Sequence, residues 1–197
     1  MDDIKREQVY IIHAWGETPQ SCWYPWLKGE LESQDIKVIV PEMPDTDAPD
    51  MKKWVEVLSN LIGKPNESTF FVGHSIGCQT ILRYLETLDE GQEIGGAVCV
   101  APWTILKNLS EESQQIAKPW LETPVDWQAA KAHCSQFAAL FSDNDEWVEL
   151  SQEKVFQDNL GAKIQMIPNM GHFDGITELP ALLSLANTMI SSSGAAT

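Results

Sequence analysis

Residues 69–79, TFFVGHSIGCQ, set an apolar strand pattern directly against a helical one, with G-H-S-I-G as the whole of the joint. So short a connection leaves room only for a sharp strand-to-helix turn. Such a turn forces its central residue, Ser75, into a strained backbone conformation and lifts its hydroxyl above the end of the strand. Gly73 and Gly77 flank it because a Cβ at either place would clash with the neighbouring helix or strand. The amide of Ile76 then faces the serine from the positive end of the helix dipole. A G-x-S-x-G match alone arises by chance in about one chain in fifteen of this length, at ordinary Gly and Ser frequencies. A Gly-Ser turn with Ser75 as a plain helix N-cap is the competing explanation. The strand–turn–helix context disfavours it.

The rest of the chain repeats the same alternation. Short apolar runs at 9–13 (VYIIH), 37–40, 69–72, 96–101, 137–141 and 163–167 predict six strands. Between them, apolar residues recur at helical spacing over 23–32, 51–62, 75–88, 126–134, 150–159 and 179–190. Nearly all-apolar strands separated by amphipathic helices predict an α/β fold, a mainly parallel sheet with helices on both faces. Residues 102–124 read as a long connection, irregular in composition and rich in tryptophan and glutamate. Residues 1–190 predict a single domain, and 191–197 (SSSGAAT) a flexible tail.

A chain of 197 residues can bury a real core without disulfides or metals. With 13 Lys and Arg against 29 Asp and Glu, its net charge of −16 repels phosphate backbones and anionic membranes, so nucleic acid is excluded as a partner class. Cys22, Cys78, Cys99 and Cys134 show neither C-x-x-C pairing nor zinc-ligand spacing, which predicts free thiols and a reducing compartment. The polar start, MDDIKREQ, lacks the apolar centre of a signal peptide, and no run is long enough to span a bilayer. A cytoplasmic location with no membrane partner is expected. Nothing suggests a metal or organic cofactor.

A serine needs a positioned base to react near neutral pH. His172 is the candidate, because it follows the sixth strand in a loop where Gly171 lets the backbone bend toward the sheet. His74 is expected to point away from the serine and pack, and His133 to sit partly exposed. His13 ends the first strand, where it could shape the neighbouring loop. The acid should follow strand five, in 141–148 (FSDNDEWV). Asp145 is favoured, with Trp147 and Val148 as anchors behind it, while Asp143 could instead cap the turn. Ser75, Asp145 and His172 then occur in the chain order of α/β-hydrolases. Negative charge developing on a substrate oxygen calls for two backbone donors: Ile76, and Trp15 or alternatively Ala14 in the loop after strand one.

The run 8–13, the block 22–27 (CWYPWL), Met43-Pro44, the elbow 73–77 and Gly171-His172-Phe173 together resemble the YdeN-type hydrolases, a group that includes mammalian retinoblastoma-binding protein nine. The similarity spans about residues 8–190, and the Trp-Tyr-Pro-Trp block is its most specific part. It implies a compact three-layer α/β-hydrolase fold with strand order 2-1-3-4-5-6, no large cap domain, and a triad at Ser75, Asp145 and His172. The mammalian member is named for binding through an L-x-C-x-E motif, and none of the four cysteines here sits in one.

The chemistry expected is hydrolysis of a small acyl substrate, an ester or amide, through a covalent acyl-enzyme. Trp15, Trp23, Trp103 and Trp147 fall near predicted strand ends. There they either pack loops onto the core or line an aromatic acyl pocket, and Trp23, Trp103 and Trp147 are the pocket candidates. Two other functions fit the same residues: a protein-binding module on a vestigial hydrolase scaffold, with 102–124 as docking surface, and an acyltransferase.

Overall fold

The computed structural model describes residues 6–193. Thirteen elements alternate along this span: β1 (Gln8–Ile12), α1 (Tyr24–Glu32), β2 (Lys37–Ile39), α2 (Met51–Ile62), β3 (Thr69–His74), α3 (Ile76–Leu85), β4 (Gly96–Val100), α4 (Glu111–Glu122), α5 (Trp127–Ala132), β5 (Phe137–Ser142), α6 (Ser151–Leu160), β6 (Lys163–Ile167) and α7 (Pro180–Ser193). The strands form one sheet in the order β2-β1-β3-β4-β5-β6, and every pairing is parallel. The fold is an α/β-hydrolase sheet with helices on both faces.

Burial explains that order. Strands β3, β4 and β5 are buried at every residue, as strands covered on two faces must be. The polar-flanked β2 and β6 keep exposed residues and take the two edges. On one face Phe71 of β3 packs its ring 5.6 Å from Tyr84 of α3. On the other, Phe70, Val72 and Val98 meet Ala186 and Met189 of α7. Among the described residues no helix is long and apolar enough to cross a membrane. All four cysteines are free.

The register decides where function can sit. Ile12 pairs with Gly73, so β1 and β3 end side by side and their chains leave in opposite directions across the sheet. A crevice opens at such a switch point, beyond the carboxyl ends of the strands.

Two expectations change. Residues 102–124, in which the sequence pattern marked no helix, hold α4 at 111–122. Ser110 caps it by accepting from the amide of Ser113, and Glu111 and Glu112 suit the positive end of its dipole. Pro119 inside this helix breaks the pattern that would have announced it. Helix α7 also continues to Ser193, three residues into the expected tail, and the remainder of that tail lies outside the described residues.

Candidate active site

Ser75 sits at the joint of β3 and α3 with φ 52° and ψ −113°, well outside the conformations an L-residue prefers. The strain is held by close packing. A Cβ on Gly77 would lie 2.2 Å from the carbonyl oxygen of Ile12, and one on Gly73 would lie 2.8 Å from the amide nitrogen of Cys78. The Ser75 amide donates to Val100 O at 2.9 Å, tying the elbow to β4.

The hydroxyl of Ser75 accepts a hydrogen bond from the indole Nε1 of Trp103 at 3.2 Å. Trp103 itself is buried, and its carbonyl is gripped by the Gln79 amide, while the next residue, Thr104, donates its amide to Gln152 Oε1 at 2.6 Å. An indole N–H can only donate, so it occupies a lone pair of the serine oxygen and leaves the hydroxyl proton to point elsewhere.

His172 lies in the loop after β6, where Asn169, Gly171 and Phe173 all take positive φ. That tight path is pinned by the loop after β5. Asp143 Oδ1 accepts from the Asn169 amide at 2.8 Å, Asn144 Oδ1 from the Gly171 amide at 2.8 Å, and Ser142 Oγ from the Met170 amide at 3.0 Å. Asp145 then meets the imidazole itself, with Oδ2 2.8 Å from Nδ1 of His172. Its Oδ1 accepts from the amides of Trp147 and Val148. Burial opposes ionisation of Asp145, but the hydrogen bond and charge of His172, with those two amides, outweigh it and hold the carboxyl below its ordinary value. Asp143 thus braces the loop, and Asp145 faces the histidine.

The loop after β1 supplies the opposite wall. The Ala14 amide donates to the hydroxyl of Tyr24 at 3.1 Å, and the Gly16 amide to Thr46 O at 2.9 Å. The amides of Trp15 and Ile76 donate to no atom among the described residues, so of the two alternatives in this loop Trp15 has the unspent N–H. His13 supports the loop from below, accepting from the Met43 amide through Nε2 at 3.1 Å. Burial lowers its pKa, and the neutral ring this favours leaves Nε2 free to accept.

Between these walls is a cavity of about 270 Å³, lined by Ser75 and His172, by the apolar side chains of Trp15, Leu106, Leu109 and Trp147, and by Glu17 and Asp174. Trp23 and Trp103, expected in the wall, are not part of it. Trp23 is fully buried, packed against Tyr24 and His74 with ring centroids 4.6 and 5.7 Å away. Trp103 is sequestered behind Ser75. Their places are taken by Leu106 and Leu109, from the stretch of 102–124 that precedes α4. Among the described residues, no group of three His, Cys, Asp or Glu side chains is arranged to hold a metal ion.

A family model for serine hydrolases matches residues 9–185. The chain belongs to the serine hydrolase family. YdeN of Bacillus subtilis (strain 168), a hydrolase by name, is 29% identical over 188 residues, covering 94% of this chain and 97% of its own. The crystal structure of that gene product superposes with a TM-score of 0.85 over 94% of this chain and 99% of the other. Serine hydrolase RBBP9 of Rattus norvegicus is 24% identical over 176 residues, covering 89% of this chain and 90% of its own. The protein is a hydrolase.

Sequence reasoning missed two features of this serine hydrolase. Asn144 braces the base loop, and the run Ser142-Asp-Asn-Asp145 carried the signal, since short polar side chains often cap neighbouring backbone. His74 is fully buried, as a packing residue would be, but both its ring nitrogens are engaged in hydrogen bonds.

Proposed function

We propose that the protein cleaves small esters or amides, with Ser75 as nucleophile, His172 as general base and Asp145 as the group that orients it. The observation that carries this reading is one cavity bordered by the strained Ser75, a histidine already hydrogen-bonded to a buried carboxylate, and two unspent backbone donors. Ser75 Oγ attacks the acyl carbon as its proton passes to Nε2 of His172. The resulting oxyanion is met by the amides of Trp15 and Ile76. Collapse expels the alcohol or amine, which takes the proton from His172, and leaves an acyl ester on Ser75. Water, deprotonated by His172, then attacks that ester and releases the acid. The cavity is small, its apolar wall favours short acyl groups, and Glu17 and Asp174 in the lining disfavour anionic ones.

The deciding experiment treats the folded protein with a fluorophosphonate probe and maps the adduct by peptide mass spectrometry. One adduct per chain, on Ser75 and blocked by prior incubation with a short p-nitrophenyl ester, is expected. Folded protein that stays unlabelled, or carries its adduct elsewhere, overturns the reading.

Trp103 is expected to matter to the same step. Its N–H bonds more strongly as charge gathers on Oγ. Trp103→Phe keeps the ring and removes the donor, so labelling should slow about tenfold, equivalent to about 1.4 kcal/mol. Faster labelling would mean that the indole holds the hydroxyl away from His172.

A further inference from the structure

Three separate stretches of the chain, at 17–24, 74 and 172, meet at the cavity floor. The Tyr24 hydroxyl, on a buried side chain at the start of α1, donates to Glu17 Oε2 and lies 2.6 Å from Nδ1 of His74. On its other side His74 Nε2 is 2.7 Å from the carbonyl oxygen of His172. A carbonyl only accepts, so Nε2 carries a proton there. The Tyr24 hydroxyl thus bridges Nδ1 of His74 and the Glu17 carboxylate, which lie 3.7 Å apart. Burial works against ionisation of Glu17, yet the bond and charge of His74, with donors from Cys22 and Tyr24, hold its pKa at about 2.

This cluster touches both sides of the site at once. Through Tyr24 it takes the Ala14 amide, which fixes the loop that presents the Trp15 N–H. Through His74 it holds the main chain of His172, with the two rings 5.3 Å apart. The Cys22 thiol, 2.8 Å from Glu17 Oε1 and 3.0 Å from Asp174 O, adds a second tie to the base loop. Asp145 orients the imidazole of His172 but leaves its backbone to these contacts.

We infer that Glu17, Tyr24 and His74 form a positioning unit at the cavity floor that sets the base loop and the oxyanion loop in register with each other. The inference rests on the hydrolase reading above, in which His172 and the Trp15 amide act on one substrate carbonyl. Tyr24 and His74 are buried and form no part of the cavity lining, while Glu17 borders it. Loss of the Tyr24 hydroxyl should therefore lower kcat with little change in KM, because a small misplacement of reacting groups costs rate more than binding.

The test compares wild type with Tyr24→Phe, Glu17→Gln and the double variant, each normalised to the active sites titrated by the fluorophosphonate probe. Tyr24→Phe should lower kcat about 30-fold with KM within about threefold, and the double variant should lose no more than the worse single one. Leu58→Ala, in the buried face of α2 away from the site, is the control for lost stability and should keep kcat per active site within about twofold. If Tyr24→Phe does not fold, the kcat of Glu17→Gln carries the comparison, since Glu17 borders the cavity and its KM is free to move. A wild-type kcat in the folded single variants, or losses that multiply in the double, overturns the unit while a Ser75 adduct in wild type leaves the hydrolase reading standing. Absence of that adduct in wild type removes both.

Discussion

Ser75→Ala is expected to reduce turnover of a short p-nitrophenyl ester about a million-fold, and Asp145→Asn about ten-thousand-fold. Asp143→Asn should stay within a few-fold of wild type. The asymmetry follows from the contacts. In Asp145→Asn the amide oxygen can still accept from the Trp147 and Val148 amides, so the loop keeps its shape. The amide nitrogen then faces Nδ1 of His172, where the carboxylate oxygen sits at 2.8 Å. Two donors cannot share that contact, so the imidazole moves its proton to Nε2 and can no longer take one from Ser75. Asp143→Asn removes only a charge, since its oxygen can still accept from Asn169. Removing Ser75 and His172 together should cost no more than removing Ser75 alone, because the two act as one device. Steady-state kinetics on folded variants reads all four. Comparable losses at Asp143 and Asp145 would mean that the bracing of the loop, not the orientation of the imidazole, is what the reaction needs.

Local pattern was enough for the frame. Runs of apolar residues located all six strands to within two residues, and the resemblance to YdeN-type hydrolases supplied their order. The joint at 73–77 marked the sheet edge where the cavity lies. Pattern also brought the right loops together: Asp145 and His172 were each read from the strand they follow, and their side chains meet at 2.8 Å. What escaped is either non-local or ambiguous in composition. His74 and the carbonyl of His172 are 98 positions apart, and no periodicity records a hydrogen bond across that distance. Tryptophan is both a core residue and a pocket residue, so proximity to a strand end could not separate Trp147, in the wall, from Trp23, packed beneath it. Helix α4 was hidden by Pro119, although its cap and acidic first turn were present in Ser110-Glu-Glu.

Gly77→Ala should be the most damaging single methyl in the protein, destabilising it by about 3 kcal/mol or more. Propensity alone predicts the opposite sign, since alanine is better than glycine within a helix by about 1 kcal/mol. Gly29 in α1 obeys propensity: a Cβ there meets nothing within 4 Å, and Gly29→Ala should be neutral to stabilising. At Gly77 the added carbon would lie 2.2 Å from Ile12 O and 3.0 Å from His13 O. Both obstacles are main chain of β1 and its exit, which no side-chain rotation can clear. Relief requires α3 to withdraw from β1, and that separation acts directly on the site. The Ile76 amide travels with α3, the Trp15 amide stays with β1, and two donors meant for one oxygen move apart. Urea denaturation should therefore show the stability loss, and the molecules that remain folded should label with fluorophosphonate more slowly than wild type, per folded chain. Full labelling speed in a destabilised Gly77→Ala protein would mean that the oxyanion donors do not depend on the approach of α3 to β1, and the pairing of Ile76 with Trp15 would have to be abandoned.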